Sequence, residues 1–189
     1  MESPIRVAVI IGSTREGRFG PTVAHWFGEQ AAPRDDMAVD LIDLAEMNLP
    51  AAYPKQFGPE VQAYLARLDQ ADAFVVVTPE YNHSFPAALK QAIDLAKREW
   101  QAKPVAFVSY GGMSGGLRAV EHLRQVFAEL HAVTMRDTVS FHNYRRQFDE
   151  AGRPVDTAGT SAAAKTLLDQ LAWWAVALRT ARAERPYAA

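Results

Sequence analysis

The sequence predicts an α/β chain, a three-layer sandwich built on a five-stranded parallel sheet in the order 2-1-3-4-5. Strand-like and helix-like runs alternate along its length, the pattern of βαβ units covered on both faces. Phe74-Val75-Val76-Val77 is apolar without alternation, as a central parallel strand buried on both sides must be. At 189 residues and 49% hydrophobic, the chain has enough apolar mass for one full core, so residues 1–189 are expected to form a single domain.

The elements follow in order. A buried-strand run at 5–11 leads into a turn at 12–21, which opens a helical pattern; a second strand is expected at 38–42. Residues 44–57, with Asn48, Pro50 and Tyr53, read as a loop. Gly58-Pro59 then starts a helix whose Val61, Tyr64, Leu65 and Leu68 keep the 3.6-residue period. A strand at 73–78 is followed by a helix starting at Phe85 and carrying Ala88, Leu89, Ala92, Ile93 and Ala96. A strand at 105–109 precedes the stripe Leu117, Val120, Leu123, Phe127 and Leu130, and a fifth strand is predicted at 133–139. Residues 140–159 are polar with Gly152, Pro154 and Gly159, too long for a structureless loop in a compact domain; a role over the active site or a subunit contact is expected. The last helix, 161–182, places Leu167, Leu168, Leu171, Trp174, Ala175 and Leu178 on one face.

Charge and composition exclude several classes. With 20 basic against 22 acidic residues and a net charge of −2, nothing favours a nucleic acid or an anionic membrane surface. No apolar stretch reaches bilayer length, and Met1-Glu2-Ser3-Pro4 runs into a strand without signal-peptide organisation, so a cytoplasmic protein is expected. Cysteine is absent, which removes disulfides, thiolate nucleophiles and iron–sulfur ligation, and leaves redox chemistry to a bound cofactor. His25, His83, His122, His131 and His142 lack metal-ligand spacing, so no metal is expected.

The chemistry concentrates in three loops. After the first strand comes Gly12-Ser13-Thr14-Arg15-Glu16-Gly17-Arg18-Phe19-Gly20-Pro21, whose amides, hydroxyls and guanidinium beside a helix start suit an anion. Its Gly12-to-Gly17 spacing mimics a nucleotide-triphosphate loop, but Arg18-Phe19 replaces the obligatory Lys and Ser or Thr. Glycines at 12, 17 and 20 likewise miss the dinucleotide spacing. A terminal monophosphate held without metal remains, the pattern of flavin mononucleotide (FMN). After strand three comes Pro79-Glu80-Tyr81-Asn82-His83-Ser84-Phe85-Pro86, and after strand four Ser109-Tyr110-Gly111-Gly112-Met113-Ser114-Gly115-Gly116. Taken singly, the prolines punctuate a turn or border a ligand, and the glycines make a flexible connection or admit one. In a parallel sheet all three loops meet at one rim, where an aromatic ring, an Asn and bare backbone suit the faces and polar edge of a flavin.

Gly12-Ser13-Thr14-Arg15, Pro79-Glu80-Tyr81-Asn82 with Ser84-Phe85-Pro86-Ala87-Ala88-Leu89-Lys90, and Tyr110-Gly111-Gly112 with Ser114-Gly115-Gly116 closely resemble the NADPH-dependent FMN reductase family of flavodoxin-like quinone, azo-dye and chromate reductases. The resemblance covers about residues 5–130 and implies a flavodoxin-like fold. It implies that Ser13, Arg15 and the amides from Phe19 through Gly20 to Thr22 hold the FMN phosphate. Pro79, Glu80, Tyr81, Asn82 and Ser84 would border the ring and ribityl chain, and Ser109, Gly111, Gly112 and Ser114 the other side and the pyrimidine edge. Many members follow the Arg with a Ser and an Asn; this chain has Arg18-Phe19-Gly20-Pro21-Thr22, which shifts the expected phosphate contacts toward Arg15, Arg18, Thr22 and main chain.

The implied activity is FMN-dependent oxidation of NADPH or NADH with delivery of electrons to a soluble acceptor (quinone, azo compound, free flavin or metal oxyanion) by ping-pong kinetics. No catalytic acid or base is required of the protein, and His83 is the weak candidate for one. Arg145-Arg146 suits an NADPH 2′-phosphate, though a solvated loop is the plainer reading. A flavodoxin-type electron carrier is the main rival, and a receiver module is set aside because Gly12-Ser13 and Thr78-Pro79 stand where its acidic residues belong. Trp100, Trp173 and Trp174 are read as packing or interface anchors. The resemblance implies a homodimer or homotetramer, with Phe85, Pro86 and Trp100 placed around the cofactor rim.

Overall fold

The computed structural model describes residues 3–188; Met1 and Glu2 of the N-terminal reading lie outside them. The strands are β1 (Ile5–Ile11), β2 (Met37–Asp43), β3 (Ala73–Pro79), β4 (Pro104–Tyr110), β5 (Val133–Thr134) and β6 (Val139–Phe141). The helices are α1 (Gly20–Ala31), α2 (Pro59–Gln70), α3 (Ala87–Asp94), α4 (Leu117–Glu129) and α5 (Thr157–Glu184). All strands run parallel in the order β2-β1-β3-β4-β5, with β6 also on β4.

Every residue of β3 and β4 is buried, which accounts for their unbroken apolar sequence. One core layer packs Val7, Val9 and Val75 beneath Val23 and Phe27 of α1 and Leu167 and Leu171 of α5. The other packs Ile10, Phe74, Val76 and Phe107 beneath Tyr64 and Leu68 of α2, Leu89 of α3 and Leu123 and Phe127 of α4. The sandwich therefore has three layers, and the C-terminal ends of β1, β3 and β4 form one rim.

Four sequence expectations are corrected. The fifth strand is two short strands, not one run over 133–139. Between them the Arg124 guanidinium donates to the carbonyls of Met135 (2.6 Å) and Arg136 (3.0 Å), so a side chain of α4 takes the place of a ladder partner. The third helix begins at Ala87, because Pro86 is its N-cap and Tyr81–Ser84 closes a turn before it. The last helix starts at Thr157, four residues early: Asp156 Oδ1 accepts from Gly159 N at 2.9 Å and caps it. Trp100 does not reach the rim. It is fully buried against Phe74 and Phe127, and its Nε1–H donates to the Ile93 carbonyl at 3.1 Å. Trp173 and Trp174, by contrast, are exposed on α5.

Candidate functional site

The first loop leaves β1 at Gly12, whose amide donates to the Val77 carbonyl at 2.9 Å and ties the turn to β3. Ser13 is fully buried, and its hydroxyl lies 2.7 Å from that of Tyr81. The Arg15 guanidinium stands over the Tyr81 ring, 5.6 Å from its centroid, so the first and third loops close on one another. Arg18, expected to face the phosphate, is engaged elsewhere. It makes two hydrogen bonds of 2.7 Å to Asp43 and one to the Ser13 carbonyl, and the Asp43 bonds raise its pKa further. Its role here is to hold the loop's shape against the end of β2.

Phe19 turns its ring away from the loop. It packs on Tyr144 and Phe148, with centroids 4.9 and 5.0 Å away, and on the edge of Tyr110. What remains toward the loop is backbone. No side chain caps α1, and Pro21 occupies its first turn, so the helix presents free amide donors. Gly20 must be glycine: a Cβ there would lie 2.8 Å from Ile11 Cγ2 and 3.1 Å from the Tyr110 hydroxyl. Thr22 is half-buried and abuts Gly152 of the 140–159 segment.

The third loop is a tight turn. Tyr81 and Ser84 exchange two backbone hydrogen bonds, 2.8 and 3.0 Å, around Asn82 and His83, both at positive φ and both exposed. Pro79 ends β3, and the Glu80 amide donates to the Tyr110 carbonyl. The Glu80 carboxylate is nearly buried and accepts from Arg118 Nη1 (3.0 Å) and from the Arg118 amide (3.2 Å), so it anchors the start of α4. His122 Nδ1 lies 3.1 Å from Ser84 Oγ, and His83 borders an open hollow with Arg118, Glu121 and His122.

In the fourth loop Ser109, expected beside the flavin, is fully buried and donates to the Gly115 carbonyl at 2.9 Å. Ser140 donates to the same carbonyl at 2.8 Å. Gly116 adopts φ +91°, and a Cβ there would collide with Ser109 Cβ at 2.6 Å. Gly111 is buried, Ser114 is half-buried, and Gly112 and Met113 are exposed; a Cβ at Gly112 meets nothing within 4 Å. The 140–159 segment is clamped to this loop: the Gly111 amide donates to the Phe141 carbonyl, while the Asn143 and Tyr144 amides donate to the carbonyls of Gly112 and Gly111. It is a strap fixed to the rim. Arg145 and Arg146 sit on it, exposed, with Arg145 over the Tyr144 ring.

Residue-level reasoning missed Tyr110 and the strap's Tyr144. Tyr110 is 3% exposed and its hydroxyl has no hydrogen-bond partner among the described residues. Burial raises its pKa, with Tyr81 adding to the effect, while a hydrogen-bonding pull from the adjacent Ser13 hydroxyl, whose well-formed bond is to Tyr81, opposes it. An orphaned buried hydroxyl under an uncapped helix start fits a ligand carrying a terminal anion, and the bare backbone at Gly112 fits a flat ring laid beside it. FMN has both parts, and Ser13, Arg15, the α1 amides, Tyr81 and Gly112 are the groups that could hold them.

The family profile described as NADPH-dependent FMN reductase matches residues 5–146. Over 177 residues the chain is 30% identical to a 2-hydroxy-1,4-benzoquinone reductase of a Burkholderia species, covering 90% of this chain and 96% of that one. It is 38% identical over 120 residues to an NAD(P)H-dependent FMN reductase of Schizosaccharomyces pombe, a match spanning 59% of this chain and 60% of the yeast protein. Among solved structures, FerB, a flavoenzyme NAD(P)H:acceptor oxidoreductase from Paracoccus denitrificans, superposes with a TM-score of 0.74 at 22% identity, over 91% of this chain and 97% of FerB.

Proposed function

This chain belongs to the NADPH-dependent FMN reductase family, and from that premise we propose that it oxidises NAD(P)H and passes the electrons to a soluble acceptor, a quinone first among them. The observation that supports this reading is the meeting of three loops at one rim, with an uncapped helix start at α1 and an exposed Gly112 where a Cβ would meet no atom within 4 Å. Bound FMN would supply the redox chemistry, accepting a hydride and returning electrons one or two at a time.

The protein's share is binding and placement. Arg15 would neutralise the phosphate, and the first-turn amides of α1 would direct donors at it. Tyr81 would border the ring on one side and the Gly111-Gly112 backbone on the other, that backbone being held by the strap. Pro79, Asn82 and Ser84 belong to this border in the same reading, and Ser114 to the pyrimidine edge. Donor and acceptor would use the one open face in turn, which gives ping-pong kinetics. We also propose a cytoplasmic homodimer or homotetramer; among the described residues no helix is long and apolar enough to cross a membrane.

The test is direct. Purified protein should take up FMN in preference to riboflavin, bleach on adding NADPH or NADH, and recolour with a benzoquinone, giving parallel lines in two-substrate initial rates. Protein that binds FMN but is not bleached by either nucleotide would be an electron carrier instead.

A further inference from the structure

Tyr110 is the buried polar group that the proposed chemistry does not use. Its hydroxyl is sealed from solvent and without a well-formed hydrogen bond among the described residues, and an unmade bond in such a place is a standing cost unless something arrives to make it. Tyr64 is orphaned too, so the property alone does not mark a site. Position separates them: Tyr64 lies in the core layer under α2, whereas the Tyr110 hydroxyl lies beneath the first residue of α1. A Cβ built on Gly20 would stand 3.1 Å from that hydroxyl and 4.0 Å from Ser13 Cβ, so the two groups flank the same point under the phosphate loop.

Ser13 is the natural recipient. A serine hydroxyl has one proton and two lone pairs, so it can donate once and accept twice. Among the described residues its hydroxyl makes one well-formed hydrogen bond, to the Tyr81 hydroxyl at 2.7 Å, while Tyr110 stands close enough for the Ser13 hydroxyl to pull its pKa down without completing such a bond. An anion in the loop accepts and cannot donate, so it draws the Ser13 proton to itself. Valence leaves Ser13 Oγ a lone pair for Tyr110 in either state; what the anion changes is direction, turning the Ser13 proton to the loop and its two lone pairs toward the two tyrosines. We propose that Tyr110 is a positioning residue for the flavin phosphate: its orphaned hydroxyl donates to Ser13 Oγ when the phosphate fills the loop, and so commits the Ser13 proton to the anion. The inference rests on the FMN reading. It assigns Tyr110 to discrimination between FMN and phosphate-free flavin, separate from any contact with the ring.

The experiment is a set of fluorescence titrations of the flavin-free full chain with FMN and with riboflavin, on wild type, Tyr110→Phe, Ser13→Ala and the double variant, with a melting curve for each. Tyr110→Phe should weaken FMN roughly three- to tenfold and leave riboflavin unchanged, as loss of one ligand-coupled hydrogen bond requires. It should not lower the flavin-free melting point, because the lost hydroxyl had no partner there. In the Ser13→Ala background the same change should have no further effect on FMN. An unchanged FMN-to-riboflavin ratio in Tyr110→Phe, an effect that persists without Ser13, or a lowered flavin-free melting point would each overturn the proposal. A wild type that binds riboflavin as tightly as FMN would instead overturn the phosphate reading of the loop, and this inference with it.

Discussion

Strand β4 is bounded by a buried polar group at each end, and the two are treated in opposite ways. Lys103, just before the strand, is 6% exposed, yet its Nζ donates to the carbonyls of Leu68 and Asp69, both at 2.9 Å, and rests on the Phe74 ring. It closes the C-terminus of α2, giving the Asp69 carbonyl a donor and the Leu68 carbonyl, which also accepts from the Ala71 amide, a second one. Tyr110, at the other end, makes no such bond. Seven residues of one strand thus join a completed end to an incomplete one. A fold can tolerate the second because the first, and others like it, hold the sheet.

The largest effect expected from this contrast is at Lys103. Lys103→Ala removes two hydrogen bonds and a packed stem, and should cost about 2–4 kcal/mol of stability. FMN affinity, measured where the variant is folded, should be unchanged; a parallel loss would mean that the two ends are coupled. The pH dependence has a definite sign. Burial, aided by Arg182, pushes the Lys103 ammonium down to about 8, whereas in an unfolded chain it titrates near 10.5. Between those values the unfolded chain binds more protons, so stability rises with pH there, by up to about 3 kcal/mol, and is flat in this group below pH 8. Denaturant unfolding from pH 7 to 10.5 should show that rise in wild type and not in Lys103→Ala.

The glycines after β4 divide along the same line. Gly116→Ala forces a Cβ against Ser109 at positive φ and should destabilise the fold by roughly 1–3 kcal/mol. A Cβ at Gly112 meets no protein atom within 4 Å, so Gly112→Val should melt as wild type does while losing flavin, if the backbone here approaches the ring as proposed. A Gly112→Val protein that unfolds would show that this glycine serves the turn alone.

At the phosphate loop, Arg15→Ala should weaken FMN about ten- to a hundredfold, with riboflavin unaffected. Arg18→Ala should act differently: it frees Asp43 and loosens the loop, so it should reduce thermal stability along with affinity. Equal and flavin-selective losses in both would mean that Arg18 leaves Asp43 for the phosphate.

The sheet and its rim were legible because a strand buried on both faces has no choice but continuous apolar sequence, as in β3, and because Gly-rich turns directly after such runs lie at one edge by topology alone. Groups that act across the chain were not legible. Arg124 splits the fifth strand through carbonyls about ten residues away, a bond that leaves no trace in hydrophobic period. Phe19 looks like a departure within a phosphate loop until Tyr144 and Phe148 come from the strap to meet it. Trp100 looks like a rim anchor because its sequence distance from Phe85 says nothing of which end of the sheet it faces. Tyr110 stands in the glycine motif, but only the place of its orphaned hydroxyl, beneath the first residue of α1, distinguishes it from a core aromatic such as Tyr64.

The smallest expected effect lies on the strap. Arg145 and Arg146 are exposed and make no ion pair among the described residues, in contrast to Arg18, Arg34, Arg67 and Arg118, each of which meets a carboxylate. They follow Tyr144, whose amide is bonded to Gly111, so their backbone is fixed beside the open face, with the Arg145 guanidinium resting over the Tyr144 ring and neither side chain in an ion pair among the described residues. An NADPH that approaches this face carries one more phosphate than NADH, and a guanidinium can take it bidentately. Because both partners stay solvated, the contact should be weak: Arg145→Ala with Arg146→Ala should raise the KM for NADPH about three- to tenfold at low salt, leave that for NADH unchanged, and lose the difference as salt screens it. Equal shifts for both nucleotides would mean that the pair acts through the strap's position on the glycine loop and not through charge, and would move it from the open end of the molecule to the structural one.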